Sequence, residues 1–313
     1  MSTRSGSTWP KDVTAGIRSV ERGAADVVSI ALRGLTAEQQ RGVLTRDAGR
    51  FHTDAQPATF WWFLNTRVPP FDDVRVRRAL NFAVDRQALN GLAGGLDTIS
   101  CQVLPPDLPG YRPYCPYTRD PNGAGTWSAP DLTKARSLVA ASRTAGTRIE
   151  VATLPFPVPL GIGRYFVTLL RRLGYQPSLL VLPPEKYNAY VGDSRHKVQL
   201  GTAGWFADSL AASNFLEPIM TCASFVPKST SNSNWFEYCN PAIDAKIKQA
   251  AALQTSDPVR ADALWARIDR DLVDQAVTMP FLTPRARVLV STRVGNYQSH
   301  AEWGTLLDQL WVK

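Results

Sequence analysis

The chain has 313 residues, of which 44% are hydrophobic and 20% are charged, and its formal net charge is +8 at pH 7. This composition is typical of a globular protein, and the absence of a long apolar run excludes a membrane-spanning helix. The positive charge could indicate nucleic-acid binding, but most basic residues are scattered along the chain. The one cluster, Arg75-Arg77-Arg78, is predicted to lie on a solvated helix face beside Asp72 and Asp73. We therefore expect no nucleic-acid partner.

Helical and strand patterns alternate along the chain, which predicts an α/β fold. The first predicted elements are a helix at 13–20, a strand at 26–31, a helix at 36–44 with Thr36 as N-cap, and a strand at 59–65. A proline-stiffened turn then leads into a helix with Asp72 as its N-cap. The apolar face of this helix comprises Val76, Ala79, Leu80, Ala83 and Val84.

Four cysteines form two local pairs, and each pair brackets a polar or proline-rich loop. Cys101 and Cys115 flank one loop, and Cys222 and Cys239 flank the other. Disulfides at these positions would each stabilise a loop of about fifteen residues by roughly 3 kcal/mol, and they indicate an oxidising compartment. Free thiols are the alternative. A zinc site is disfavoured, because no CxxC pair exists and the histidines are distant in sequence.

The second half of the chain predicts a βαβ unit followed by capped helices. The predicted elements are a helix capped by Asp131, a strand at 147–154, a helix ended by Gly174, strands at 178–182 and 198–204, helices begun by Asn240-Pro241 and Asp257-Pro258, and a strand at 280–291. A βαβ unit favours a ligand cleft at the carboxyl ends of its strands.

Motifs for catalysis are lacking in the sequence. It has no G-x-S-x-G elbow, no P-loop and no G-x-G-x-x-G fingerprint, and no histidine has a nucleophile at a recognisable spacing. We therefore expect a protein that is not an enzyme and that needs no cofactor or metal.

Two segments resemble a known family. Residues 63–86 and the stretch Ala203 to Asp208 are similar to signature segments of the family 5 extracellular solute-binding proteins, the oligopeptide-, dipeptide- and nickel-binding receptors of ABC importers. Weaker similarities follow in the same order along the chain, at 16–28, 104–109, 240–244 and 294–312. The resemblance covers roughly residues 12 to 313.

The resemblance implies a two-lobed periplasmic-binding-protein-like fold of type II. It assigns residues 1–61 and 286–313 to lobe I, which would be incomplete, and 62–285 to a complete lobe II. It also implies an extracytoplasmic monomer that delivers its solute to a membrane permease. Residues 1–6 contain no apolar signal-peptide core, so export under a signal of its own is not expected from this sequence.

The resemblance also points to ligand-binding residues. Asp208 matches the carboxylate that holds a peptide's amino terminus, and Trp205 would supply an apolar wall and a cation–π face. Alternatively, Asp208 caps the turn that follows it. Tyr187 is a third binding candidate, or else a core residue.

The predicted function is the non-catalytic capture of a solute, an oligopeptide above all, for an ABC importer. The alternatives are the ligand-sensing half of a larger regulatory protein and a non-functional receptor fragment.

Overall fold

The computed structural model describes residues 13–30 and 37–313. Its α-helices are α1 (Val13–Glu21), α2 (Ala37–Arg46), α3 (Val74–Ala83), α4 (Arg86–Leu92), α5 (Leu132–Ser142), α6 (Pro157–Arg172), α7 (Pro184–Gly192), α8 (Ala212–Met220), α9 (Pro241–Leu253) and α10 (Pro258–Asp274). Its strands are β1 (Val27–Ser29), β2 (Phe51–Ala55), β3 (Ala58–Leu64), β4 (Thr98–Ile99), β5 (Arg148–Thr153), β6 (Gln176–Val181), β7 (Leu200–Phe206), β8 (Thr278–Thr283), β9 (Arg285–Val290), β10 (Val294–Gly295), β11 (Ser299–His300), β12 (Gly304–Thr305) and β13 (Trp311–Val312). None of the helices in this described part has the length and apolar character that crossing a membrane requires. The predicted cap Thr36 and residues 1–6 lie outside the described ranges.

The larger of two compact units, Ala55–Pro284, contains a six-stranded mixed sheet in the order β4-β8-β3-β7-β5-β6. Strand β5 runs parallel to both β6 and β7, whereas β3 runs antiparallel to both β7 and β8. The helix α6 connects the parallel neighbours β5 and β6, so the predicted βαβ unit is confirmed.

Helices cover both faces of this sheet, because successive side chains of a buried strand point to opposite sides. On one face, Trp61 and Phe63 of β3 join a core built with α7, α8, α9 and α10. On the other face, Trp62 and Leu64 join a core built with α3, α4, α5 and α6. All four side chains are at most 2% exposed. Burying each large side chain contributes about 1.5–3 kcal/mol, so the aromatic strand β3 anchors both cores.

The smaller unit comprises the described residues up to Asp54 together with Arg285–Lys313. Its three-stranded sheet has the order β1-β9-β2, and β1 pairs antiparallel with β9. Two short antiparallel pairs, β10 with β13 and β11 with β12, form the end of the chain. The larger unit begins ahead of the 61/62 boundary proposed for the lobes, because β3 pairs along its length with β7. The lobe assignment itself stays a prediction.

Three predicted helix N-caps are confirmed. The side chains of Asp131, Asn240 and Asp257 each accept a hydrogen bond from a main-chain N–H in the first turn of their helix. Gly174 follows the end of α6 with a φ of +93°, a conformation that glycine adopts without strain. These signals are local, so sequence alone was sufficient to place them.

The N-cap of α3 is Asp73, and the prediction of Asp72 was wrong by one residue. The Asp73 side chain accepts a hydrogen bond of 2.8 Å from the N–H of Arg75, and its carboxylate also pairs with the Arg75 guanidinium. These bonds from Arg75 lower the pKa of Asp73. Both residues satisfy the preference of a helix start for a carboxylate, so their order in the sequence could not decide between them.

The prediction that Arg77 lies on a solvated helix face is also wrong. Arg77 is only 7% exposed, and its guanidinium donates to the main-chain oxygens of Phe71, Gln275 and Ala276. It therefore ties the start of α3 to the end of α10. Arg78 donates to the main-chain oxygen of Asp274 in the same region.

The predicted strand 280–291 is two strands. They separate at Pro284, and β8 belongs to the six-stranded sheet whereas β9 belongs to the three-stranded sheet. A continuous apolar pattern cannot reveal this change of sheet, because each half satisfies the pattern of a buried strand.

Both predicted disulfides are present, Cys101–Cys115 and Cys222–Cys239. The first loop is also held by Asp269 of α10, whose carboxylate accepts hydrogen bonds from the N–H groups of Val103 and Leu104 and from the Gln102 amide.

Candidate functional site

One edge of β7 is open along its second half. Strand β3 pairs with β7 from Leu200 to Phe206, but on the other side β5 pairs with Leu200 and Gly201 alone among the described residues. Beyond Gly201, β7 therefore has a sheet edge without a neighbouring strand.

Along a strand, the main-chain N–H and C=O groups of successive residues point to opposite edges, and this alternation determines which groups of β7 face the open edge. The N–H of Ala207 donates to Pro57, just before β3, so the odd-numbered positions of β7 are directed toward β3. The carbonyl of Thr202 points the opposite way, where the Tyr187 hydroxyl donates to it. By the same alternation, the N–H and C=O groups of Gly204 and Phe206 are directed at the open edge. Within the described part of the chain, neither residue has a main-chain partner on that side.

The glycine at position 204 is required by close packing. A Cβ atom there would lie 1.9 Å from the Cδ1 atom of Phe60 on β3. Phe60 also makes an edge-to-face contact with Phe206, with ring centroids 5.6 Å apart, although Phe206 remains 46% exposed. The open edge is thus backed by aromatic rings and bears an exposed phenyl group.

A pocket of about 280 Å³ lies beside this edge. Its lining residues are Trp61, Asn188, Ala203, Gly204, Trp205, Ile219, Thr230, Ser231, Asn232, Ser233, Trp235 and Phe236. Trp205, the predicted wall residue, is half-buried and packs against the core on the α7–α10 face of the sheet. Trp61 of β3, which belongs to the same core, also lines the pocket.

One wall of the pocket is formed by the loop that the Cys222–Cys239 disulfide closes. Asn234 holds this loop by donating to the main-chain oxygens of Thr221 and Tyr238. Trp235 donates its indole N–H to the main-chain oxygen of Asn232. The disulfide and these bonds hold the pocket-lining residues 230–236 in place within the loop.

Asp208 follows β7 by two residues, and its carboxylate is exposed. No described residue donates a hydrogen bond to that carboxylate, so it does not cap the following turn. Instead, Asn214 of α8 holds the turn, because its side-chain oxygen accepts from the N–H groups of Asp208 and Ser209. The main chain of Asp208 is therefore fixed, and its Cα atom lies within about 11 Å of the Cα atom of Trp205, three residues earlier in the chain.

Tyr187 is placed differently from the other two candidates. Its side chain is 2% exposed, and its hydroxyl donates to the Thr202 oxygen at 2.7 Å and more weakly to the Ala152 oxygen. Burial raises the pKa of this phenol well above its ordinary value. Since the ring does not line the pocket, Tyr187 supports β7 and is not among the ligand contacts that we propose.

The sequence alone does not reveal two features of this site, the open edge and the pocket wall. The open edge depends on where β5 stops pairing, and the pocket wall depends on the fold of residues 230–236, so both require tertiary structure. The glycines at 201 and 204 were the available signal, because glycine inside a strand often marks a close approach. In the described residues, no group of three or more His, Cys, Asp or Glu side chains could hold a metal ion.

Comparisons with known proteins identify relatives. A family model described as bacterial extracellular solute-binding proteins, family 5 Middle, matches residues 9–226. The "Probable di/tripeptide-binding protein 5" of Pseudomonas aeruginosa is 25% identical over 294 residues, which cover 92% of this chain and 51% of that protein. The periplasmic oligopeptide-binding protein OppA of Escherichia coli is 26% identical over 265 residues, which cover 79% of this chain and 43% of that protein.

Solved structures share the fold of this chain. HbpA2 from Haemophilus parasuis superposes with a TM-score of 0.78 at 19% identity, covering 97% of this chain and 57% of the other. The fold class is therefore confirmed as α/β of the type II periplasmic-binding-protein kind. The chain spans about half the length of the curated relatives it matches.

Proposed function

Because the chain belongs to the family 5 bacterial extracellular solute-binding proteins, we propose that it captures a short peptide outside the cytoplasm and presents it to an ABC importer. The proposed partners are the peptide and a membrane permease, and the proposed state is a monomer. The family consists of substrate-binding proteins, and we propose that this chain likewise binds its solute without catalysis.

The open edge of β7 is the observation that carries the proposal. An extended peptide offers the same alternating N–H and C=O groups as a strand, so it can pair with the unpartnered groups of Gly204 and Phe206. Recognition of this kind depends on the ligand's main chain. It therefore suits a peptide better than a sugar or a metal chelate.

Asp208 supports the same ligand class. Its exposed, unpartnered carboxylate lies two residues beyond the open edge, where it can accept charge-assisted hydrogen bonds from a peptide ammonium group. Trp205 offers an indole face close by for apolar contact or a cation–π interaction. The peptide would then run antiparallel to β7, with its amino terminus near Asp208.

Calorimetry of the purified chain with the tripeptide Ala-Phe-Ala tests the proposal. Hydrogen bonds to charged groups contribute about 1.5–3 kcal/mol, so Asp208→Ala should weaken binding at least tenfold. N-acetylation of the peptide should have a similar effect, because it removes the ammonium group. The matched control is Asp107→Ala, an exposed aspartate in the Cys101–Cys115 loop, which should leave affinity unchanged.

A second peptide series tests the main-chain pairing. Methylating one peptide nitrogen at a time removes a single N–H donor, and it should weaken binding strongly at alternate positions only. The proposal would be overturned if no tripeptide binds. It would also be overturned if each singly methylated peptide binds with the same affinity as the unmethylated one.

A further inference from the structure

The pocket beside Trp205 has a distinctive chemistry. All of its lining residues are described, and none of them is an aspartate, glutamate, lysine, arginine or histidine. The lining includes buried apolar side chains, Trp61, Ile219 and Phe236, which are at most 2% exposed. The polar lining side chains are neutral hydroxyls and amides, and the exposed ones are Asn188, Thr230, Ser231 and Ser233.

We propose that this pocket is a side-chain subsite that selects one uncharged, bulky ligand residue, with an aromatic side chain preferred. The inference rests on the proposed function, since it assigns a specificity to the same peptide-binding edge. Aromatic side chains would pack against the indole rings of Trp61, Trp205 and Trp235 in offset or edge-to-face contacts.

The size of the pocket supports a single side chain as its occupant. Sites for whole small ligands usually measure about 300–1,000 Å³, so this pocket of about 280 Å³ is at the small end of ligand sites and has room for one bulky side chain. The rest of a peptide would remain along the open edge of β7, outside the pocket.

The lack of ionisable groups is the physical basis of the selection. A charged side chain that enters the pocket loses hydration and meets no opposite charge, so its transfer is costly for either sign of charge. An uncharged polar side chain loses less hydration, and the hydroxyls and amides of Thr230, Ser231 and Asn188 can partly replace its water.

The alternation of a strand restricts the selection to particular ligand positions. Ala203 and Trp205 point to the pocket side of the sheet, and a paired peptide places every second side chain on that side. Its other side chains point to the opposite face. The preference should therefore alternate along the ligand.

Calorimetry with a tripeptide panel tests the inference. Phe, Gln, Glu or Lys is placed at each of three positions in an otherwise alanine peptide, and all peptides are titrated into the purified chain. At the position that enters the pocket, both the Glu and the Lys peptide should bind at least tenfold more weakly than the Phe peptide, with Gln between them. At the neighbouring position the spread should stay below threefold.

The outcomes separate this inference from the proposed function. If peptides bind but no position disfavours both Glu and Lys, the subsite is overturned and peptide capture stands. If no peptide in the panel binds, peptide capture is overturned, and the subsite with it.

A charge introduced at the lining provides an independent check. Asn188 is exposed and makes no hydrogen bond within the described residues, so Asn188→Asp should retain the fold and improve the affinity for the Lys peptide at least threefold. The matched control is Ser137→Asp on α5, which adds the same charge at an exposed position on the opposite side of the sheet and should change nothing. Equal effects of the two variants would attribute the change to net charge and would contradict the subsite.

Discussion

The hydroxyl of Tyr187 donates a hydrogen bond of 2.7 Å to the main-chain oxygen of Thr202, just past the point at which β5 stops pairing with β7. A side chain of α7 thus takes the place of the next strand hydrogen bond and satisfies the first carbonyl of the open edge. Gly201 allows this contact, because a Cβ atom there would lie 2.8 Å from the same hydroxyl. The open edge therefore begins at a defined residue and continues to Gly204 and Phe206.

Removing that hydroxyl tests its structural role. Tyr187→Phe should lower the free energy of unfolding by about 1 kcal/mol, because the partly buried Thr202 carbonyl loses its donor. Urea denaturation provides the measurement. Tyr190→Phe on the same helix is the control, since the Tyr190 hydroxyl has no hydrogen-bond partner in the described part of the chain, and it should be close to neutral. Equal losses in the two variants would contradict a specific role for the Tyr187 hydroxyl.

Replacing Arg86 should lower stability more than replacing Tyr187. Its side chain is fully buried and donates to the main-chain oxygens of Asn81, Ser100 and Pro280, which joins the end of α3 to β8 and to the residue that follows β4. Burial lowers its pKa to about 10, so the guanidinium is charged at neutral pH. Arg86→Met should cost at least 3 kcal/mol, because several buried carbonyls lose their donor together.

Thermal and urea unfolding of two variants would test this role of Arg86. Arg136→Met on the exposed surface of α5 removes the same charge but no hydrogen bond among the described residues, and it should change stability by less than about 0.5 kcal/mol. If Arg86→Met lowers the free energy of unfolding as little as Arg136→Met does, the carbonyl groups must form hydrogen bonds with water in place of Arg86.

The sequence was informative wherever the signal was local. Caps at Asp131, Asn240 and Asp257 were predictable because each combines a capping side chain with a following helical pattern. The buried arginines were not predictable, because the residue type usually indicates an exposed position and its carbonyl partners come from distant segments.

The candidate site shows the same division between local and distant signals. Trp205 and Asp208 came from a continuous motif, whereas the open edge and the pocket lining at residues 230–236 arise only when distant strands and loops assemble. Tyr187 illustrates the ambiguity of a single aromatic residue. Its position in the sequence fits a binding role and a packing role equally, and burial separates the two.

Asp269 should give the fold an unusual pH dependence. Burial is the main cause that raises the pKa of its carboxyl from 3.8 to about 6, although hydrogen bonds from Gln102 and two main-chain N–H groups oppose the shift. A folded-state pKa above the unfolded value means that the native state binds the proton more tightly. The contribution of this group to stability is therefore present below pH 4 and is lost as the pH rises through about 6.

Urea denaturation at pH 7 and pH 5 measures this contribution. The native state should gain about 1 kcal/mol from Asp269 on going from pH 7 to pH 5. Asp269→Asn should remove that gain. Both proteins are measured at both pH values, so the contribution of the other titratable groups, which the two proteins share, cancels when their pH dependences are compared. If the pH dependence of the variant equals that of the wild type, Asp269 does not titrate in this range.

The two disulfides should differ in their effect on ligand binding. Each closes a loop of similar size, with sequence separations of 14 and 17 residues, so removing either should cost roughly 3 kcal/mol of stability. Only the Cys222–Cys239 loop contributes residues to the pocket, at positions 230–236. The double variant Cys222→Ala/Cys239→Ala should therefore weaken Phe-peptide binding at least tenfold in calorimetry.

Cys101→Ala/Cys115→Ala is the matched control and should bind with unchanged affinity, because Asp269 still holds the start of its loop. Equal losses of affinity would mean that binding reports only global stability, and the proposed role of the pocket wall would be wrong.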